Sequence, residues 1–303
     1  MILPRRTMSR AVLGVAVGVC LVGLSACTNS SVHEADLPLP EKNRHRWLLP
    51  LDQYQWPLVD PVSDAEQVIV ASCLSKVGYE WRVVPTEDGA SPQESWSDAG
   101  RKLFSVELAE KYGYGNSPML DQAPARMDAD RANRAVSQQH PEAVDACFEE
   151  AAPILGIVDG SANDLAQQIG NLAYAEAEQA VEVRDAASDW RTCMKDAGLP
   201  DLPDVPEEMP PASVDMGDDG DGIDAPFRTG DELDVPAEVR RVAVADATCR
   251  DSTGYTSTFY DAEWDAQVEA MGSRIDVLER FKQQAEEQRA LAERYLAENA
   301  VSQ

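Results

Sequence analysis

The chain has 303 residues, 44% of them hydrophobic and 26% charged, with 26 lysines and arginines against 54 aspartates and glutamates. The formal net charge of −28 sets up a surface field that repels nucleic acid and anionic headgroups, which makes both poor partners. Acidity this general reads as a source of solubility rather than as a ligand site.

The first ten residues carry Arg5, Arg6 and Arg10 and no acid, and Ala11 to Leu24 is apolar or glycine almost throughout. The segment closes at Cys27 with Leu24-Ser25-Ala26-Cys27. A basic head, a short apolar run and small residues before a cysteine predict a secretory signal over 1–26, too short to span a bilayer. The last four residues resemble a bacterial lipobox, which implies lipidation of Cys27 on sulfur and a diacylglyceryl anchor, with a further amide-linked acyl chain. Ordinary secretory cleavage, with Cys27 left as a thiol, is the competing reading. Loss of the three arginines takes the formal charge from −28 to −31.

Residues 27–61 read as a tether whose prolines forbid a long helix. Trp47, Tyr54 and Trp56 are unexpected in a pure spacer and predict an arm lying across the body, or else a strap for a partner. Ser63-Asp64-Ala65-Glu66 is a capping box opening a helix that Gly78 ends. Tyr79-Glu80-Trp81-Arg82-Val83-Val84 alternates as a short strand or extended strap would. A second helix is predicted from Ser95 to Tyr112, and another from Pro141 through Cys147.

Ser161 to Ala197, rich in Ala, Glu and Gln and free of proline, predicts one long helix with a stripe through Leu165, Ile169, Leu172, Ala173, Ala177, Ala180, Ala187, Trp190, Met194 and Ala197. Leu199 to Pro236 is proline-rich and acidic and reads as a solvated insertion. Its Asp215-to-Asp224 run invites calcium, but Gly217 and Pro226 stand where an EF-hand loop needs ligands, so the template fails. From Pro236 the chain is helical to about Asn299, interrupted at Thr253-Gly254. Trp264, Val268, Met271, Ile275 and Leu278 form a narrow seam for packing against the Ser161–Ala197 helix. The whole reads as a mainly α protein: a disulfide-stapled helical body with an antiparallel long-helix hairpin and little strand, divided into a first helical half at 62–160 and a second at 161–303.

Four cysteines remain in the body: Cys73, Cys147, Cys193 and Cys249. An even number in an exported chain implies two disulfides. The stretch after Cys73 echoes that after Cys193, each a cysteine followed five residues later by a helix-ending glycine. A duplicated unit favours pairing Cys73 with Cys147 and Cys193 with Cys249. Pairing of the two equivalent helix ends, Cys73 with Cys193, is the alternative.

With Cys-Leu-Ser-Lys-Val-Gly-Tyr-Glu-Trp at 73–81, Cys-Met-Lys-Asp-Ala-Gly at 193–198 and Ala-Asp-Ala-Thr-Cys at 245–249, the body from about Ser63 to Ala270 resembles a family of uncharacterised actinobacterial lipoproteins. The resemblance implies an envelope location and assigns no activity. Leu199 stands where that family usually has an aromatic.

Chemistry is sparse. Of three histidines, His33 and His45 lie in the tether and His140 precedes a helix start. There is no nucleophile elbow, zinc motif, Cys-x-x-Cys or phosphate loop, and acids this abundant give carboxylate pairs no meaning. The chain therefore reads as a non-enzyme without cofactor or metal. It is expected to be an interaction or accessory component of the cell envelope, lipid-anchored through Cys27, with an envelope protein as partner. The alternative is a small-ligand or solute receptor with Tyr79, Trp81 and Trp96 as contacts, although those rings suit a core equally well.

Overall fold

The computed structural model describes residues 37–57, 60–86, 94–117, 123–156, 158, 160–216 and 235–299. The signal segment, Cys27 and most of the acidic Asp215-to-Asp224 run lie outside the described residues. All described residues belong to the unit Val32–Gln303. Among them nine α-helices follow in chain order: α1 (Pro61–Lys76), α2 (Val106–Tyr112), α3 (Ala123–Gln139), α4 (Pro141–Leu155), α5 (Ser161–Gln179), α6 (Val181–Met194), α7 (Ala237–Ser252), α8 (Tyr255–Met271) and α9 (Ile275–Asn299). Among the described residues there is no sheet, only isolated bridges at Asn43–Leu48 and Trp96–Lys102. No described helix is long and apolar enough to cross a membrane.

The spine is an antiparallel hairpin. Ala177 of α5 meets Tyr255 and Phe259 at the start of α8, whereas Ala166 and Ile169 meet Met271 at its end. Small residues on α5 let the helices approach closely, and Trp264, Met271 and Leu278 of the seam are buried. Ser161 to Ala197 is not one helix: Ala180, at ψ 139, separates α5 from α6. No local breaker dictates this, but the bend keeps the faces of both α5 and α6 on α8. Leu172, expected in the stripe, faces solvent at 71% exposure.

Two layers cover the hairpin's flanks. α1 and α4 pack on each other and on the far end of α9, where Ala65, Ile69, Ala151, Leu155 and Ala292 are buried together. α2 lies on α7. The first and second halves of the sequence are thus interleaved in one core.

Several local starts differ from expectation. α1 begins at Pro61 with Asp60 as its cap, accepting from the Val62 amide at 3.0 Å. A cap followed by proline opens the helix ahead of the Ser63 box. The helix expected from Ser95 begins only after Ser105, whose hydroxyl caps α2 through the Leu108 amide. Ahead of it, Ser95–Leu103 is a tight turn in which Gly100 adopts φ +81 and donates to the Ser97 carbonyl. Buried Ser95 and Ser117 exchange backbone and hydroxyl hydrogen bonds that a helix would have left unmade.

The segment from Leu37 to Trp56 is an arm lying across the body, as its rings predicted, although 41–45 stay exposed. Leu49, Leu51 and Tyr54 have no solvent exposure. Helix side chains satisfy its backbone: Leu51 donates to Gln267 at 3.0 Å, Trp56 to Asn163 at 3.0 Å and Asn43 to the Tyr260 hydroxyl at 3.1 Å. Leu199 to Met216, expected to be solvated, is packed in part, although Asp201, Asp204, Glu207, Glu208 and Asp215 stay exposed. Pro206 and Val214 are buried, and Leu199, Leu202 and Met209 cover Trp190, Met194 and the second disulfide. Proline excludes helix from this stretch, but its interspersed Leu, Val and Met still bury area.

Candidate functional site

The cysteines pair within each half, Cys73 with Cys147 at a Cα separation of 5.6 Å and Cys193 with Cys249 at 5.7 Å. Each staple sits at the end of one helix, just before a glycine of positive φ, Gly78 (+89°) or Gly198 (+73°). The strap that leaves each glycine folds back over the sulfurs. After Gly78, Tyr79 and Trp81 pack on the Val70, Leu74, Val144 and Cys147 cluster. Asn133 holds the strap by accepting from the Arg82 amide and donating to its carbonyl, both at 2.8 Å. After Gly198 the cover is Leu199 and Leu202, and Arg191 donates to the Pro203 carbonyl at 3.1 Å.

The three rings expected as ligand contacts, Tyr79, Trp81 and Trp96, are placed as follows. Tyr79 stacks on His140 with centroids 4.1 Å apart, and Trp81 donates to Gln67 at 2.7 Å while its ring meets Phe148 edge-on. Trp96 stands apart from them, bridged to Lys102. None of the three lines either of the two clefts described below. The first two rings shield the disulfide layer, the fate that burial assigns to most rings beside a core.

The larger assembly of rings lies elsewhere. A cleft of about 370 Å³ is walled by Trp47, Phe104, Tyr114, Tyr174, Tyr255 and Phe259. Five separate stretches build it: the arm, the Ser95–Leu103 turn with the end of α2, α5, the strap at Pro206–Met209, and the α7–α8 corner. Gly254, at φ +72, turns that corner and presents Arg250 on one side and Tyr255 on the other. A neighbouring cleft of about 640 Å³ shares Trp47, Phe104, Arg250 and Thr256.

Trp47 is held in an unusual state. Its φ of +49° is left-handed, a conformation costly for a bulky residue. Its indole donates to Glu263 at 3.0 Å, and its ring meets Tyr260 edge-on at 5.4 Å. The hydrogen bonds of the Asn43–Leu48 bend supply the compensation.

Four charged side chains border the cleft: Arg101, Lys102, Glu207 and Arg250. Arg101 pairs with Glu263, and Arg250 pairs with both oxygens of Asp246 at 2.7 and 2.9 Å. Both acids have side chains with no solvent exposure. Burial pushes Glu263 up from the usual carboxylate range, and Arg101 opposes that shift. The guanidiniums also lie over rings, Arg101 5.5 Å from Tyr174 and Arg250 4.9 Å from Phe104. Their charge is taken up by the wall itself.

Lys102 and Glu207 are different. Lys102 donates to the Tyr114 carbonyl, and burial lowers its pKa. Glu207 accepts from the Tyr255 hydroxyl at 2.7 Å. Neither forms an ion pair within 4 Å among the described residues, although Glu207 is exposed and its charge acts on Arg250. Tyr174 is raised to about 12 and Tyr255 is raised further, by burial first and the Glu207 charge second, so both stay neutral donors. Such a lining can hold a ligand by rings and hydroxyls.

The sequence had little to flag this site with. Asp246 and Arg250 stand four apart on one helix, and Gly100 before Arg101-Lys102 marks a turn offering two cations, but nothing local joins them to Glu207 or Trp47. Among the described residues no cluster of His, Cys, Asp and Glu could hold a metal. No family model, curated protein or solved structure matches the chain.

Proposed function

We propose that the chain is a non-enzymatic lipoprotein on the extracytoplasmic face of the cell membrane, anchored through Cys27, and an interaction or accessory component of the cell envelope. The observation that carries this reading is Leu24-Ser25-Ala26-Cys27 behind a basic, apolar head. Two disulfides in the body accord with an oxidising compartment. The resemblance of the Cys-Met and Ala-Asp-x-x-Cys stretches to actinobacterial lipoproteins points the same way.

Metabolic labelling of the parent cells with an alkyne fatty acid tests the anchor. The wild-type chain should take the label and sediment with membranes, and Cys27→Ser should do neither; an unlabelled wild type overturns the reading. In-cell cross-linking should then recover one envelope protein in stoichiometric amount.

A second reading, a small-ligand receptor on the same anchor, is favoured by the ring-lined cleft. Native mass spectrometry of the purified chain separates the two. A stoichiometric small molecule supports the receptor, and a cross-linked protein without one supports the accessory role.

A further inference from the structure

Resting on the receptor reading, we propose that the two adjoining clefts form one groove for a neutral oligosaccharide, one sugar lying against Trp47 and Tyr174 and the chain continuing past Arg250 into the larger cleft. Charge argues against the ionic classes. The three cations at the smaller cleft, Arg101, Lys102 and Arg250, stand against three acids: Glu263 and Asp246, buried behind the wall, and exposed Glu207, whose charge acts on Arg250. In the larger cleft Arg44, Arg46 and Glu94 pair with Asp261, Asp98 and Lys111, and the acids left over, Glu107 and Asp251, are exposed to solvent. A charged ligand would break such a pair or enter without a counterion. A neutral one does neither.

Between an apolar body and a polyol, the polar lining decides. The hydroxyls of Tyr174 and Thr256 border the smaller cleft with no hydrogen bond among the described residues. An apolar ligand would strip water from them and from the guanidiniums and return nothing, which costs free energy for each group left unsatisfied. A sugar hydroxyl both donates and accepts, so it replaces that water group for group.

The rings supply the other half of sugar recognition, a flat apolar surface for the C–H face of a pyranose. Trp47, Phe104 and Tyr174 are half-buried, and each is backed by a buried ring: Phe104 by Tyr114 at 5.5 Å, Tyr174 by Phe259 at 5.0 Å and Trp47 by Phe259 at 6.2 Å. Arg101 and Arg250 lie 5.5 and 4.9 Å from the centroids of Tyr174 and Phe104, which puts hydrogen-bond donors and ring surface within the reach of one sugar. Trp47 is fixed in this wall at φ +49° with its indole on Glu263, and such strain gathers where position matters. Ligand pockets run roughly from 300 to 1,000 Å³. The clefts, at about 370 and 640 Å³, share Trp47, Phe104, Arg250 and Thr256, so the groove suits two or more linked sugars better than one.

The test is isothermal titration of the full chain, in a detergent without a sugar headgroup, with maltotriose, cellotriose and triacetylchitotriose, alongside sedimentation with the polysaccharide fraction of the parent envelope. One-to-one binding of a trisaccharide supports a soluble ligand, and sedimentation with the polysaccharide alone supports the same chemistry at the end of a polymer. Binding should change less than two-fold between low salt and about 0.5 M salt, where charge attraction is screened; a larger fall overturns the neutral class. Tyr174→Phe and Thr256→Val should each weaken binding at least five-fold with the circular dichroism unchanged. Should a variant misfold, hydrogen exchange on the wild-type chain decides the same question: the bound sugar should slow exchange at residues 101–104 or 254–259, and protection only elsewhere overturns the proposal. Absence of both trisaccharide binding at millimolar concentration and sedimentation also overturns it. Native mass spectrometry of the chain from parent cells separates that failure from failure of the receptor reading, because a bound molecule that is not a sugar removes the oligosaccharide and keeps the receptor.

Discussion

Asp246 is the hub of a buried polar network. Its carboxylate is wholly buried and accepts from Trp190 at 2.8 Å, from Tyr114 at 3.2 Å and from both arms of Arg250. Removing it would strand a guanidinium that is itself only 16% exposed. Asp246→Ala should therefore cost roughly 3 to 5 kcal/mol in urea unfolding, the range for a broken buried pair. Asp52 behaves in the opposite way. Burial raises its pKa from 3.8 to about 6, against the pull of the Leu49 amide and Arg101. The folded chain thus holds this proton to higher pH than the unfolded chain does. The stabilisation is complete below about pH 4 and lost as pH rises through about 6, on the order of 3 kcal/mol. Asp52→Asn should flatten that part of the stability–pH curve; an unchanged slope would place the titration elsewhere.

The elements are held by close approach and by staples. Gly113 ends α2 at φ +60, and a Cβ there would lie 2.9 Å from Val235 Cγ1 and 3.0 Å from Val239 Cγ1. Gly113→Ala adds strain to a clash against α7, so thermal unfolding should show a loss of about 1 to 3 kcal/mol. The bridge from Cys193 to Cys249 closes a separation of 56 residues between α6 and α7. The double replacement Cys193→Ser with Cys249→Ser should lower stability by roughly 2 to 4 kcal/mol, and a peptide map of the wild-type chain without reduction should recover the same pair. Most helices could be read from the chain because caps, prolines and glycines act over a few residues. The exceptions were Ser95–Leu103 and Ala180. In the first, the hydrogen bonds of buried serines prevail over a helical pattern. In the second, α8 imposed a bend that no local residue encodes.

For the whole molecule, charge and burial act in one direction. The −28 net charge repels itself most when every carboxylate is ionised. Glu66, Glu178 and Glu263 are raised by burial, as Asp52 is, so their protonation also favours the folded chain. Exposed Glu94, lowered chiefly by its hydrogen bond to Lys111, works the other way at lower pH. The melting temperature should accordingly be higher near pH 5 than at pH 8, and added salt should raise it at pH 8 by screening the repulsion. A melting temperature indifferent to salt at pH 8 would show that self-repulsion is negligible.

By itself the sequence determined the helical class and the positions of most helix ends, and it left open two cysteine pairings, between which the structure decided. The class and the helix ends follow from local rules: periodicity, capping and the left-handed freedom of Gly78 and Gly198. Only the tertiary structure decided what the aromatic residues do. Tyr79 and Trp81, the rings nearest a recognisable motif, cover a disulfide, whereas Trp47, Phe104, Tyr174 and Phe259 converge from four distant stretches to wall a cleft. Convergence of that kind depends on which helix faces share a core, and no spacing within a single stretch records it.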